Sequence, residues 1–302
     1  MNSPNLMDLV ALYGTDDRCR ETLAKLRWPD GIRCLRCNSE NVAQVKERKV
    51  HVCYACNYQF STTVGTMFHD SHLSLTKWFF VIYLMCESKK GISANQVKRM
   101  MGVSYKTAWY LCHRIRKAMA EAEGCKMGGT VQIDEVYLGG KHRHQGRKGT
   151  SDKIPVVGIR ETSTGHVHLI PMRHLMQWNM NQLLDKHLDA KVEVIVTDES
   201  RLYNFKDTAF ANADHETVNH SAGEYVRGDV TTNGIESVFS LVKRGLIGTW
   251  HQLSVKHLKA YMNEVSWRYN NRKNSYLFRD TLMQLLKSEN MEYKELTQSK
   301  AA

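Results

Sequence analysis

The sequence lacks any long apolar run, and its N-terminus lacks the pattern of a secretory signal. No stretch approaches the roughly 18 consecutive apolar residues of a membrane-spanning helix, so no such helix is expected. The start, MNSPNLMDLV, has no basic stretch before an apolar core, so no export signal is expected. Internal repeats and low-complexity linkers are also missing, and 302 residues are enough for two or three compact units.

The sequence is also short of acidic residues relative to basic ones. It has 31 Asp and Glu against 42 Lys and Arg, which gives a net charge of +11 and a pI near 9.2. This excess favours a polyanionic partner, with nucleic acid first and an anionic membrane surface second. The hydrophobic content of 42% and the charged content of 24% are ordinary for a folded soluble protein.

Eight cysteines without an export signal predict a reducing compartment, where metal ligation is more common than disulfide formation. Four of them form two CxxC turns separated by a strand-like spacer. Each turn directs two thiolates at one ion, and four sulfur ligands complete a tetrahedron. We therefore predict one structural Zn²⁺ without a catalytic role, with thiol redox chemistry as the alternative; the predicted ligands are Cys34, Cys37, Cys53 and Cys56.

The stretch from Gly91 to Lys117 is typical of a helix-turn-helix. Ser93 is predicted to cap the first helix, Gly102 to close it, and Ser104 to open the second. In DNA-binding proteins the start of the second helix reads base edges, and basic side chains further along contact phosphates. The predicted DNA contacts are Ser104, Tyr105, Lys106, Thr107, Arg114, Arg116 and Lys117. The alternative is an ordinary helical hairpin with a solvated basic face.

After about residue 126 the pattern becomes strand-like and then mixed, which predicts an α/β layer with a mixed sheet. Strands are expected at Thr130–Leu138, Pro155–Arg160, His166–Pro171, Val192–Asp198 and Thr217–His220. Helices are expected at Asn179–Leu188, Gly234–Lys243 and Ser254–Tyr269. The polar stretch from about Ser288 is expected to fray.

Three carboxylates stand at strand or helix ends: Asp134 on the first of these strands, Asp198 at the end of another, and Glu236 near a helix start. Two aspartates on neighbouring strands and a glutamate on a helix packed across them can converge on a pair of Mg²⁺ or Mn²⁺ ions, which prefer oxygen ligands. Asn233 could supply an additional oxygen ligand, and Lys243 and Arg244 could neutralise a bound phosphate. Each carboxylate alone also fits a structural role, such as capping a turn.

A basic loop follows the first strand of this region, and we predict that it meets a polyanion. Its predicted DNA contacts are Lys141, Arg143, Arg147 and Lys148. His220, near the expected acidic cluster, is a further candidate for contact with a phosphate.

These motifs resemble those of bacterial insertion-sequence transposases of the DDE superfamily, in the ISXO-type group that carries an N-terminal zinc ribbon. The resemblance covers most of the chain. It runs through WPDG (28–31), the CxxC pair, IDEVYLGGK (133–141), TDE (197–199), TNGIES (232–237) and RYNNR (268–272).

The resemblance implies a ribonuclease H-like catalytic fold, Mg²⁺-dependent DNA strand cleavage and strand transfer, and binding to the terminal inverted repeats of the element. By position, Asp134 and Asp198 are the first two catalytic acids. The third is Glu236 or, as in some relatives, an asparagine (here Asn233), and Lys243 is the basic companion. The resemblance also implies a cytoplasmic, nucleoid-associated protein that acts on element ends and target DNA as a homodimer or larger oligomer, without a membrane.

The predicted organisation is a multidomain α/β protein. It comprises an N-terminal helical segment (1–27), a zinc ribbon (28–66), a helix-turn-helix DNA-binding domain (67–125), a ribonuclease H-like mixed sheet flanked by helices (126–275), and a C-terminal helix and tail (276–302). Two alternatives stay open. A zinc-dependent DNA-binding regulator explains the charge and the cysteines but not the recurring acids. A metal-dependent nuclease of the same fold would cleave DNA without joining it.

Overall fold

The structure is a computed structural model that describes residues 4–120, 125–139, 153–198, 200, 202–203, 205, 208–218, 226–227 and 230–298. The chain divides into two compact units. The first combines Met1–Met119 with Asn274–Ala302, and the second is Ala120–Lys273. The C-terminal segment therefore belongs to the same unit as the N-terminal segments.

Across these described stretches the α-helices are α1 (Leu6–Tyr13), α2 (Asp16–Arg27), α3 (Leu75–Glu87), α4 (Ala94–Met101), α5 (Tyr105–Ala118), α6 (Gln177–His187), α7 (Asn233–Gly245), α8 (Leu258–Asn270), α9 (Leu277–Lys287) and α10 (Tyr293–Thr297). The strands are β1 (Val42–Val45), β2 (Val50–Cys53), β3 (Gln59–Phe60), β4 (Met127–Leu138), β5 (Ile154–Glu161), β6 (Val167–Pro171), β7 (Leu188–Asp198), β8 (Asp214–Val218), β9 (Val226–Arg227) and β10 (Val230–Thr231). Among the helices described, none has both the length and the apolar character needed to cross a bilayer.

Helices α4 and α5 form the helix, turn and helix that the sequence predicts. The Ser93 hydroxyl accepts the backbone N–H of Gln96 at 3.1 Å, which caps α4. Gly102 ends α4 with a left-handed φ of 61°, a conformation that glycine adopts without steric cost. The Ser104 hydroxyl accepts the N–H of Thr107 at 3.1 Å and opens α5. All three predicted boundaries are confirmed.

The first unit is built around an aromatic core to which the C-terminal helices contribute. The ring of Phe79 on α3 lies 5.0 Å from that of Tyr13 on α1 and 5.9 Å from that of Phe278 on α9. Beyond α9 the chain is also packed, because Leu296 on α10 is buried and Met291 accepts a hydrogen bond from the Tyr110 hydroxyl. The expectation that the chain frays from about residue 288 is therefore wrong for residues 288–298.

The second unit contains a five-stranded mixed sheet in the order β6-β5-β4-β7-β8. β5 pairs antiparallel with β4 and β6, whereas β7 runs parallel to β4 and β8 runs parallel to β7. The expected strands and helices are present with shifted ends. β7 begins four residues earlier than expected, at Leu188 directly after α6, and β8 spans Asp214–Val218.

Both faces of this sheet are covered, which decides the surroundings of every residue on β4. Val131 and Ile133 pack on the face that α6 covers, together with Leu184. Val136 packs on the opposite face, which α7 and α8 cover, together with Phe239. Since side chains alternate along a strand, Asp134 faces α7 and is partly buried.

Candidate active site

Asp134 and Asp198 stand at matching positions on two neighbouring parallel strands. β4 and β7 align Gln132 with Val196, and each aspartate lies two residues further along its strand. Because equivalent residues of adjacent parallel strands lie side by side, the two aspartates occupy the same end of the sheet.

Glu236 comes from the first turn of α7, which packs across β4 and β5. Ile235 and Phe239 of this helix lie in the core on that face. Gly158, which pairs with Asp134 in the β4–β5 ladder, makes the close approach possible. A Cβ atom on Gly158 would lie 2.6 Å from Cδ1 of Ile235 and 2.7 Å from Cζ of Phe239. The absence of a side chain therefore lets α7 lie close to the sheet at the level of Asp134.

A hydrogen-bond clamp fixes the start of α7 on β4. The side-chain oxygen of the buried Gln132 accepts the backbone N–H of Ile235 at 3.2 Å and a guanidinium N–H of Arg160 at 3.3 Å. A side chain at Gly234 would run into Gln132 and Arg160. Gln132 was not identified from the sequence. Its place two residues before Asp134, on the same face of the strand, is the signal that could have found it.

The three carboxylates interact electrostatically. Burial raises the pKa of Asp134, the backbone N–H of Glu135 at 2.8 Å partly lowers it, and the charges of Glu135, Asp198 and Glu236 raise it again, to about 7. The Glu236 carboxylate is itself held by the Thr232 hydroxyl, which donates to it at 2.8 Å. The structure thus brings the three acids named from the sequence into one cluster, here called the acidic cluster (Asp134, Asp198 and Glu236).

Glu135 is an additional acid that was not identified from the sequence. By alternation it lies on the opposite face from Asp134, where Tyr203 belongs to the core. Burial raises the pKa of Glu135, a hydrogen bond from the Tyr203 hydroxyl at 2.6 Å lowers it, and the charge of Asp198 raises it. A glutamate on a strand that is covered on both faces needs such a partner, so the strand pattern itself points to one.

Two other groups of ligand-type side chains are drawn together more tightly than the acidic cluster. Among the residues that the structure describes, groups whose ligand atoms all lie within 4.8 Å of one another are the four CxxC cysteines and the trio Cys125, His166 and His168. The trio belongs to the second unit and was not identified from the sequence.

The four CxxC cysteines form one cluster supported by the antiparallel strands β1, β2 and β3. The sulfur atoms of Cys34 and Cys56 lie 3.5 Å apart, as do those of Cys37 and Cys53. Burial opposes the charged form of Cys34, but backbone N–H groups that follow it lower its pKa to about 6. Four sulfur atoms in this arrangement, one of which ionises readily, fit a tetrahedral zinc ion.

Comparison with known proteins places the chain in a family. Residues 126–270 match the ISXO2-like transposase domain, and residues 14–59 match the transposase zinc-ribbon domain. An uncharacterised protein in transposable element ISH50 of Halobacterium salinarum is 32% identical over 257 residues, which are 78% of this chain and 85% of that protein. The chain belongs to the ISXO2-like DDE transposases. It is an enzyme of the class that performs metal-dependent DNA phosphoryl transfer, with an N-terminal zinc ribbon and a ribonuclease H-like sheet.

Solved structures of retroviral integrases also match this transposase, at low scores. The HTLV-2 integrase catalytic core domain in complex with magnesium has 18% identity over 48% of this chain and 86% of the other, with a TM-score of 0.26. A simian T-cell lymphotropic virus intasome in complex with PP2A regulatory subunit B56 gamma has 10% identity over 70% of this chain and 72% of the other, with a TM-score of 0.27. With scores this low, the family assignment rests on the sequence matches.

The residues of the transposase that are predicted to contact DNA differ in their exposure. Ser104, Tyr105 and Lys106 are exposed at the start of α5, and the Lys106 ammonium lies 4.3 Å from the centre of the Tyr293 ring. Thr107 is partly buried, and Lys117 is exposed near the end of the helix. The start of α5 is therefore accessible to a ligand.

The predicted DNA contact does not hold for Arg114 and Arg116, because both side chains are buried. The guanidinium of Arg114 donates to the carbonyl oxygens of Met67 and His69 and to the side-chain oxygen of Asn290. A guanidinium in this position stabilises the first unit and is not available to a phosphate. The prediction that these two arginines contact DNA is therefore wrong.

The remaining predicted residues lie around α7 or outside the described part of the chain. Asn233 is exposed at the first position of α7, and Lys243 and Arg244 are exposed in its last turn. The residues that fall outside the described stretches are Lys141, Arg143, Arg147, Lys148 and His220.

Proposed function

We propose that this transposase binds the terminal inverted repeats of an insertion sequence, cleaves a DNA strand there and transfers it to target DNA. We assign Asp134, Asp198 and Glu236 as the acids that hold the divalent cations. The supporting observation is that the charges of Asp198 and Glu236 reach the partly buried Asp134 and help to raise its pKa to about 7. A partly buried cluster of acids whose charges repel one another has high affinity for a cation.

The donor atoms of the acidic cluster are all oxygens, which suit Mg²⁺ or Mn²⁺ better than Zn²⁺. When bound, such ions would supply activation of the attacking oxygen and stabilisation of the leaving oxygen in phosphoryl transfer. Glu236 is the better third acid, because it is partly buried and interacts with Asp134, whereas Asn233 is exposed. Neutralisation of a bound phosphate is assigned to the exposed Lys243 and Arg244 at the far end of α7.

The other parts of the chain position these acids and the DNA. Gln132 and Thr232 hold the start of α7, and Tyr203 holds Glu135 on the opposite face of β4. One structural Zn²⁺ in the ribbon and the accessible start of α5 give the first unit its role in binding the element ends. The basic loop (Lys141, Arg143, Arg147 and Lys148) and Lys117 are assigned to phosphates.

Joining two element ends to one target requires two active sites, so we propose a homodimer or larger oligomer on DNA, in the bacterial nucleoid. His220, a candidate from the sequence that lies outside the described residues, is assigned to contact with the phosphate at the cleavage site. Cleavage without joining would favour a nuclease, and binding without magnesium-dependent nicking would favour a regulator.

The test is a strand-cleavage and strand-transfer assay on DNA that carries the element's own ends, with Mg²⁺. We expect Asp134→Asn, Asp198→Asn and Glu236→Gln each to lower both steps by about 100-fold or more while end binding in a gel-shift assay stays unchanged. Asn233→Ala is the matched control and is expected to retain activity. Full strand transfer by both aspartate variants would overturn the assignment.

A further inference from the structure

The second unit contains a compact group of one thiol and two imidazoles. These residues are distant in sequence from the ribbon cysteines. Cys125 lies just before β4, and His166 and His168 lie at the start of β6. Their ligand atoms are all within 4.8 Å of one another. His166 and His168 are two residues apart on extended chain, so their side chains point to the same side. A His-x-His pair on a strand is the sequence signal for this group.

Contacts within the fold hold the three side chains together. His168 is buried, with Nε2 at 3.2 Å from the carbonyl oxygen of Cys125, and its ring centre lies 5.3 Å from that of His166. Nε2 of His166 lies 3.1 Å from the amide nitrogen of Asn270, and this amide also donates to the carbonyl oxygen of Val167. Because an amide nitrogen only donates, Nε2 of His166 accepts this hydrogen bond, and an ion that binds there takes the place of Asn270. The three side chains are otherwise assembled, so binding needs little further reordering.

A cleft of about 640 Å³ in the second unit gives access to this group. Cys125 and His168 line it, together with His174, His187 and Lys259. The ring of His187 lies 5.0 Å from that of His168. The cleft therefore offers a path for an ion and room for a water molecule next to the three ligands.

We propose that Cys125, His166 and His168 bind a second Zn²⁺ ion, with water from the cleft in the fourth position. One thiolate and two imidazoles are donors that zinc prefers, whereas the oxygens of the acidic cluster suit a harder cation. Binding displaces the thiol proton of Cys125, so zinc uptake weakens at acidic pH. The ion ties the chain before β4 to the edge strand β6. This site goes beyond the proposed function and does not depend on it.

The test is the zinc content of the purified full-length chain, measured by elemental mass spectrometry. We expect about two zinc ions per chain in the wild type and about one in Cys125→Ser and in His168→Gln. Cys125 is exposed, so its replacement by serine is not expected to disturb packing. The matched control is His174→Gln, which changes a histidine of the same cleft outside the trio and should keep about two ions.

Cobalt substitution separates the two sites by their ligands. The variant Cys37→Ser, which removes a ribbon ligand, should keep one Co²⁺ with the weak charge-transfer absorption of a single thiolate, and adding Cys125→Ser should abolish that band. A wild-type chain with about one zinc ion would overturn the proposal. A Cys125→Ser chain that keeps the wild-type zinc content would overturn it as well.

Discussion

Asp134 is a side chain whose charge depends strongly on the fold around it. Its pKa is about 7 in the folded chain against 3.8 for an ordinary aspartate. Between these values the folded chain binds more protons than the unfolded chain, so the free energy of unfolding falls as the pH rises from about 4 to about 7. In magnesium-free buffer we expect the wild type to lose roughly 1–3 kcal/mol between pH 5 and pH 8 that Asp134→Asn does not lose.

Urea unfolding at both pH values measures this difference. The control is Asp214→Asn, which changes an exposed aspartate on β8 and should follow the wild type. Equal stability changes for wild type and Asp134→Asn between the two pH values would contradict the assignment of this pH dependence to Asp134.

Single residues also show where the sequence was informative and where it was not. A carboxylate at the end of an apolar strand is visible in the sequence, and in the folded chain the charges of Asp198 and Glu236 reach Asp134. The burial of Arg114 was not visible, because its partners come from Met67 and Asn290, far away along the chain. A charge pattern on one helix cannot tell a guanidinium that binds DNA from one that binds distant main-chain oxygens.

Helix α7 carries Glu236, so its seating on the sheet controls the acidic cluster. The contact depends on Gly158, where a Cβ atom would lie 2.6 Å from Ile235 and 2.7 Å from Phe239. Both neighbours are buried and cannot move aside freely. We expect Gly158→Ala to lower the free energy of unfolding by about 1–3 kcal/mol and to lower strand cleavage more than end binding, because Glu236 moves with the helix.

Chemical denaturation and the cleavage assay together measure this effect. The matched control is Gly248→Ala, in the helical turn after α7, where a Cβ atom would meet nothing within 4 Å. If Gly158→Ala were as stable and active as Gly248→Ala, α7 would not be seated as tightly as these distances indicate.

At the scale of elements, local sequence signals predicted the ends of helices well, whereas features that depend on long-range pairing were not predicted. Ser93, Gly102 and Ser104 mark the ends of α4 and α5 because capping depends on the nearest few residues. β7 begins at Leu188 because of its pairing with β4, and the strand predicted from the sequence began too late. The packing of α10 depends on partners elsewhere in the fold, and the sequence did not predict it.

On the scale of the whole chain, the ribbon is the part of the first unit with the smallest apolar core. Its buried cluster contains Cys34, Cys53 and Phe60, and two of these are ligand-type cysteines. A core of this size cannot hold a module of this length without the ion. The second unit has two separate buried clusters, one on each face of its sheet, and needs no such support from the ribbon.

We therefore expect Cys37→Ser to unfold the ribbon and to leave the second unit folded. Cys37 is exposed, so the loss of a metal ligand is the main consequence of this substitution. Limited proteolysis should cut the variant within residues 28–66 while a fragment of about residues 120–273 stays resistant. Ser39→Ala, two residues away, should resist cleavage like the wild type. A protected ribbon in Cys37→Ser would show that its fold does not depend on zinc, and simultaneous loss of the resistant fragment would show that the two units unfold together.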